Sequence, residues 1–434
     1  MTYVPDAEVV EICRDLVRID TSNYGDGSGP GERAAAEYVA AQLAEVGIES
    51  LIIESEPGRA SVVAQWGAPR GTPNGRPGLL LHGHLDVVPA FADQWRVDPF
   101  AAEIVDGYLY GRGTVDMKDF DAILLSVVRA RQRAGAIPNR PITLAFTADE
   151  EAGSLLGAHW LVEHRAELFE GITEAVGEVG GFSVPVAGRR LYLIQSGEKG
   201  IAWLRLRASG TQGHGSLANP DNALDHLARA LVSLSEHTWP VEVTPSMSHL
   251  LDTVRELTGA GDDGAEELIA QFGPAARAFT TGIRNSTNAT ILEAGFKHNV
   301  VPAEAVAYVD GRFLPGQQET FLSEIEGIAG DRVKVEPYIV QPALEYDFSG
   351  DLIDAMTLSL QENDQDAVVA PYLMFGGTDA KAWDRLGITC YGFVPLRLPE
   401  DLDFAALFHG IDERVPVDAL EFGARVFDRF LDLA

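Results

Sequence analysis

Leu79-Leu80-Leu81-His82-Gly83-His84-Leu85-Asp86 is the stretch that decides how this chain folds and what it does. A short apolar run without polar interruption fits a strand buried on both faces of a parallel sheet. The run ends in a histidine, followed two residues later by a carboxylate. Four more positions of metal-binding type come after it: Asp116, the pair Glu150-Glu151, Glu178 and His409. Imidazole and carboxylate without thiolate suit a hard or borderline cation engaged in hydrolysis rather than a structural zinc finger.

Outward from that strand, helical spacing of apolar residues marks 6–19, 31–47, 119–134 and 154–165. Strand-like runs fall at 51–53, 62–66, 142–147, 175–179 and 191–195. Strands alternating with helices point to an α/β core with a mainly parallel sheet. In such sheets function gathers at the carboxyl ends of the strands, where His84, Glu150-Glu151 and Glu178 all fall. The texture changes near residue 197. Residues 201–207 alternate like a half-exposed antiparallel strand; a helix at 221–236, strands at 288–292, 305–313 and 333–337, and a helix at 318–329 follow. We therefore expect a first catalytic segment at 1–196, an inserted α+β domain at 197–342 and a return to the first domain at 343–434. The stretch 240–285 reads as a helical elaboration within the insert.

At 434 residues the chain is too long for one compact core, which agrees with two domains. Its 33 basic against 65 acidic side chains give a net charge of −32, a field that repels nucleic acid and anionic membranes. The only two cysteines, Cys13 and Cys390, are far apart and lack CxxC spacing, so a disulfide framework is not expected. Met1–Asp6 has no basic or apolar leader character, and no apolar run approaches the ~20 residues of a membrane span. A soluble, cytoplasmic protein is expected.

Each candidate has a plainer alternative. His84 and Asp86 flank Leu85 and can point the same way, the carboxylate steadying a metal-bound ring; the alternative is a buried, capped histidine. His82 reads as structural. Asp116, in Gly111-Arg112-Gly113-Thr114-Val115-Asp116, could bridge two cations with its two oxygens or serve as a helix N-cap. Adjacent Glu150 and Glu151 are costly unless something positive lies beside them. One could bind metal while the other takes a proton from metal-bound water; the alternative is an acidic first turn of a helix. His214, between two glycines, is a candidate oxyanion donor or a turn histidine.

His-x-Asp, Gly-x-Gly-x-x-Asp-x-Lys, Glu-Glu, a lone acid and a late His-Gly, in that order, resemble the di-zinc aminoacylase and carboxypeptidase family. Acetylornithine deacetylase, succinyl-diaminopimelate desuccinylase, aminoacylase, glutamate carboxypeptidase and carboxypeptidase S-type enzymes belong to it. The resemblance implies that His84 and Glu178 hold one zinc, Glu151 and His409 the other, with Asp116 bridging. Cobalt or manganese would suit the same ligands. It implies Asp86 orienting His84 and Glu150 as general base. His214 would stabilise the oxyanion, usually in the partner subunit's site, and the insert would be a ferredoxin-like lid or dimerisation domain. Asn299 and Arg312 match positions that bind the substrate carboxylate, and Gly376, Gly377 and Thr378 match a substrate loop. The implied reaction is hydrolysis of the amide bond of N-acyl-amino acids or small peptides with a free carboxylate, by a homodimer. A dipeptidase or metallocarboxypeptidase and a non-catalytic scaffold of the same fold are the competing readings.

Overall fold

The computed structural model describes residues 4–69, 76–138 and 140–434. Leu79 and Leu81 enter the core beneath the helices Val9–Arg18, Lys118–Ala134 and Val417–Leu433, whereas Leu80 enters a second core beneath Ala158–His164 and Ala380–Asp384. The strand Gly78–His84 is thus covered on both faces, as its unbroken apolar run requires.

It lies within a ten-stranded sheet. The order begins Ser50–Glu56, Arg59–Gly67, Pro141–Thr147, Gly78–His84, Ile172–Gly177 and continues through Thr389–Gly392 to Arg189–Glu198 and Leu344–Glu345. Strands Phe182–Val186 and Val368–Met374 also pair with Arg189–Glu198. The four strands from Pro141–Thr147 to Thr389–Gly392 run parallel to one another. The expected α/β class with a mainly parallel central sheet is what forms.

A four-stranded antiparallel sheet follows in sequence, ordered Ser286–Ala294, Glu304–Phe313, Gly200–Ser209 and Val333–Gln341. Ala202, Leu204, Leu206 and Ala208 point inward from the alternating strand, onto the helices Ala223–Glu236 and Gln318–Ala329. Numbered by sequence, the strands stand in the order 2-3-1-4 with a helix after the first and the third, a ferredoxin-like arrangement.

The stretch 240–285 is helical, as expected, but its apolar side chains do not join that small core. Met247, Leu250, Val254, Phe272 and Phe279 pack with Leu191, Leu193, Tyr372 and Met374 of the large sheet. The helices Ala223–Glu236 and Gln318–Ala329 already cover one face of the small sheet. Among the described residues no helix is long and apolar enough to cross a membrane.

Candidate dinuclear metal site

Three adjacent parallel strands end side by side and deliver the first candidate ligands. His84 closes its strand, Glu178 follows Ile172–Gly177 directly, and Glu150 and Glu151 form a tight turn shortly after Pro141–Thr147. Gly83 beside His84 has no room for a side chain, because a Cβ there would run into Asp121 and Met117. Two loops complete the set. Asp116 precedes the helix Lys118–Ala134 without capping it, so the N-cap alternative fails; likewise the helix after Glu150-Glu151 starts only at Ala158. His409 adopts the left-handed conformation, φ 57°, as does Asp149 beside Glu150, φ 66°. Departures of this kind concentrate at functional sites.

The side chains converge. His84 Nε2 lies 3.1 Å from Asp116 Oδ1 and 3.5 Å from Glu178 Oε2. His409 Nε2 lies 3.2 Å from Asp116 Oδ2 and 3.0 Å from Glu151 Oε2. Two three-ligand groups result, His84-Asp116-Glu178 and Asp116-Glu151-His409, with donor atoms in each within 4.8 Å of one another. They share Asp116, one oxygen toward each. Glu150 belongs to neither group, and its Oε2 stands 3.9 Å from His84 Nε2.

The electrostatics is that of a site built for cations. Burial, reinforced by Glu178, pushes the Glu150 carboxyl well up, and burial with Asp116 raises Glu151. Burial lifts Glu178 to about 8. Although burial opposes it, hydrogen bonds from His409 and His84 hold Asp116 below the usual carboxylate range. Hydrogen bonds to Asp116 and Glu151 carry His409 up to about 10, and Glu178 raises His84 against its burial.

Asp86 has contacts beyond the expected one with His84. His84 Nδ1 meets the Asp86 backbone carbonyl at 2.9 Å, while the carboxylate is 3.7 Å away. That carboxylate accepts the backbone N–H groups of Glu150 and Glu151 and the Asn23 amide instead. Backbone donors facing a buried carboxylate outcompete a ring that the main chain already satisfies. His82 is buried edge-on against Trp383, and burial lowers it to about 3, which fits a structural residue.

Sequence reasoning passed over Glu413. Its Oε1 accepts from the backbone of Gly113, Val115 and Asp116, and its Oε2 pairs with Arg112 at 2.5 Å. One carboxylate thereby joins the Asp116 loop to the loop carrying His409. Its proximity to His409 in sequence was the available signal. Asn23, bonded to both Asp86 and Asp149, had none.

Above the ligands opens a cavity of about 400 Å³, lined by Asp116, Glu150, Glu151, Glu178 and His409 at one end and by Arg312, Gly376, Gly377 and Thr378 elsewhere. Arg312 is gripped through two nitrogens by Asp310, at 2.8 and 3.1 Å. His214 and Asn299 do not line it. Both are exposed on the short ribbon formed by Gly213–His214 and Val300–Val301, where the His214 ring bonds Ser216.

Residues 80–433 match the peptidase family M20/M25/M40. The chain belongs to that family. It is 27% identical to the N-fatty-acyl-amino acid synthase/hydrolase PM20D1 of Xenopus tropicalis, over 95% of this chain and 83% of that one. It is equally 27% identical to aminoacylase-1 of Mus musculus, over 99% and 96%. The M20 metallo-carboxypeptidase Sso-CP2 of Sulfolobus solfataricus shares its fold, with a TM-score of 0.74 at 20% identity, over 98% and 99%. This M20 protein is a metal-dependent hydrolase of amide or peptide bonds.

Proposed function

We propose that this M20 protein cleaves the amide bond of N-acyl-amino acids that carry a free α-carboxylate and an apolar acyl group, using two zinc ions. The observation that carries the reading is the shared carboxylate: Asp116 directs one oxygen to each of two three-ligand groups, with Glu150 left over beside them. Nitrogen and carboxylate donors of this kind fit zinc, and accept cobalt or manganese. When bound, the cations polarise the substrate carbonyl and lower the pKa of an attacking water.

The chain's own residues supply the rest. Glu150 accepts the proton of the attacking water and passes it to the leaving amine, a transfer suited to a carboxylate whose pKa burial has raised. Arg312 lines the cavity, and the Nη1–Nη2 edge left beside its pair with Asp310 can hold a carboxylate by two parallel hydrogen bonds. The acyl side is aromatic. Phe272 stacks on Phe279 with ring centres 4.5 Å apart; Phe279, Tyr372, Phe182, Phe404 and Phe408 continue as a chain of ring contacts spaced 5.1–6.0 Å that ends beside His409. An alkyl or aryl acyl group gains most from such a wall. The Xenopus tropicalis relative is named for fatty-acyl substrates, which agrees with it.

His214 and Asn299 act in the site of a second copy. Supporting this, Ser286–Ala294 is an open edge of the small sheet, and Ile291, Leu292 and nearby Phe296 are 53%, 61% and 78% exposed. Such an edge is a template for pairing with another chain. The small domain then serves as both lid and dimer interface. The soluble, cytoplasmic setting and the absence of nucleic-acid or membrane partners remain part of the proposal.

A panel of N-acetyl, long-chain N-acyl and dipeptide substrates, run with added zinc or cobalt, tests this. Highest kcat/KM on the long-chain or aryl N-acyl-amino acids is expected. Dipeptides as the best substrates would replace the reading with a dipeptidase.

A further inference from the structure

The chain passes from strand to strand between the large and the small sheet at Glu198-Lys199-Gly200 and at Gln341-Pro342-Ala343-Leu344. The crossings lie side by side. Leu344 pairs with Glu198 on the large-sheet side, and Ile201 pairs with Gln341 on the small-sheet side. Between those pairs the ladder lapses, and Pro342 has no N–H to give. The carbonyls of Lys199 and Pro342 turn instead to one buried ammonium: Lys381 Nζ donates to them at 2.9 and 2.7 Å. Glu198 Oε1 lies 2.8 Å from the same nitrogen, and both side chains are 1% exposed.

Lys381 also follows directly on the loop that lines the cavity. Thr378 of that loop donates to Glu198 Oε2 at 2.7 Å, and Asp379 accepts from Thr147, the strand partner of His84, at 2.5 Å. On the far side, Arg312 sits opposite Ile201 in the sheet, two residues beyond Lys199. Arg312 is therefore on the strand paired directly with the ribbon that Lys381 clasps. A change in the ribbon's angle moves Arg312 relative to the metal ligands.

We propose that Lys381, paired with Glu198, is a positioning residue that locks the interdomain ribbon and so sets the reach of Arg312 to the substrate carboxylate. A buried ion pair is poor evidence for stability but well suited to specifying one geometry. The inference rests on the carboxylate role proposed for Arg312, and its test separates the two.

The variants are Lys381→Met, Lys381→Arg, Arg312→Ala and the pair Glu198→Gln/Lys381→Met, which leaves no lone buried charge should Lys381→Met fail to fold. Turnover is measured on an N-acyl-amino acid and on its methyl ester. Folded variants lacking the clasp should lose about five- to tenfold in the ratio of kcat/KM for acid over ester, through KM, with Lys381→Arg recovering much of it. In the Arg312→Ala background, removing the clasp should cost no further ratio. Spin labels at Ser235→Cys and Arg133→Cys, one on each domain, should show a broadened interdomain distance in the same variants. An unchanged distance distribution in the folded Glu198→Gln/Lys381→Met protein overturns the clasp. A ratio insensitive to Arg312→Ala, with the distance broadened, instead removes the carboxylate role and leaves the clasp standing.

Discussion

Asp86 Oδ1 accepts the backbone N–H of Glu150 at 3.0 Å, so the carboxylate of the His-x-Asp motif aims the proposed general base more directly than it aims the histidine. Oδ2 does the same for Glu151 at 3.1 Å. Asp86→Ala is therefore expected to release the Glu150-Glu151 turn, lowering kcat by roughly 10²-fold through misplacement of the base. Metal affinity should fall by about 10–100-fold through Glu151. Steady-state kinetics and metal titration read the two effects; a loss of metal alone, with kcat intact at saturating metal, would show that Asp86 does not serve Glu150.

Glu150 lies outside both ligand groups. Glu150→Gln should keep two metals per chain by elemental analysis while losing on the order of 10²–10⁴ in turnover. A metal-free variant would make Glu150 a ligand and remove it from the role of base.

Glu413 is buried and satisfies Arg112 as well as three backbone donors of the Asp116 loop. Glu413→Ala strands the Arg112 charge, for which roughly 3–5 kcal/mol of destabilisation is expected. Thermal unfolding measures it, together with lower metal content, because the loops bearing Asp116 and His409 lose their common tie. A melting temperature equal to the parent's would contradict the argument.

What could be read from sequence follows a physical divide. Gly78–His84 and Pro141–Thr147 were legible because strands buried on both faces carry unbroken apolar runs. Phe182–Val186 and Val368–Met374 were not, since Pro185 and Pro371 argue against a strand unless its position in the sheet is known. Of the candidate metal-binding residues, His84 and Glu178 were legible because each sits where an apolar run ends, whereas Asp116 and His409 lie in loops and were legible through the motif order. The backbone partners of the Asp86 carboxylate were hidden for a related reason: they come from 64 and 65 residues away. Spacing along one strand says nothing about which distant backbone will be in reach. The same holds for 240–285, where helical periodicity marks an apolar face but not the sheet it will cover.

His214 and Asn299 stand outside their own chain's cavity. If they serve a partner, His214→Ala and Glu150→Gln are each inactive alone but should complement on mixing. The hybrid dimer then holds one site with an intact base and a borrowed histidine, so random exchange restores about a quarter of parental activity. Leu292→Lys on the open edge should abolish both the complementation and the dimer in sedimentation. Failure of mixed, demonstrably exchanged subunits to recover activity would return His214 to a structural role.

Cation uptake should be tied to proton release, and the sign follows from the residues. Metal ligation needs neutral imidazole and ionised carboxylate. Without cations, hydrogen bonds to Asp116 and Glu151 hold His409 protonated to about 10, and burial holds Glu178 protonated to about 8. Metal binding near neutrality must then expel protons, so apparent affinity should climb as pH rises from about 6 to about 8. The cation-free protein should behave in the opposite sense. A raised folded-state pKa gives His409 a stabilising contribution that is complete below about 6.5. It is lost as pH rises through about 10. Calorimetry in buffers of different ionisation enthalpy counts the protons, and melting curves with and without zinc give the stabilities. Uptake with no proton release would mean that these five side chains do not form the cage.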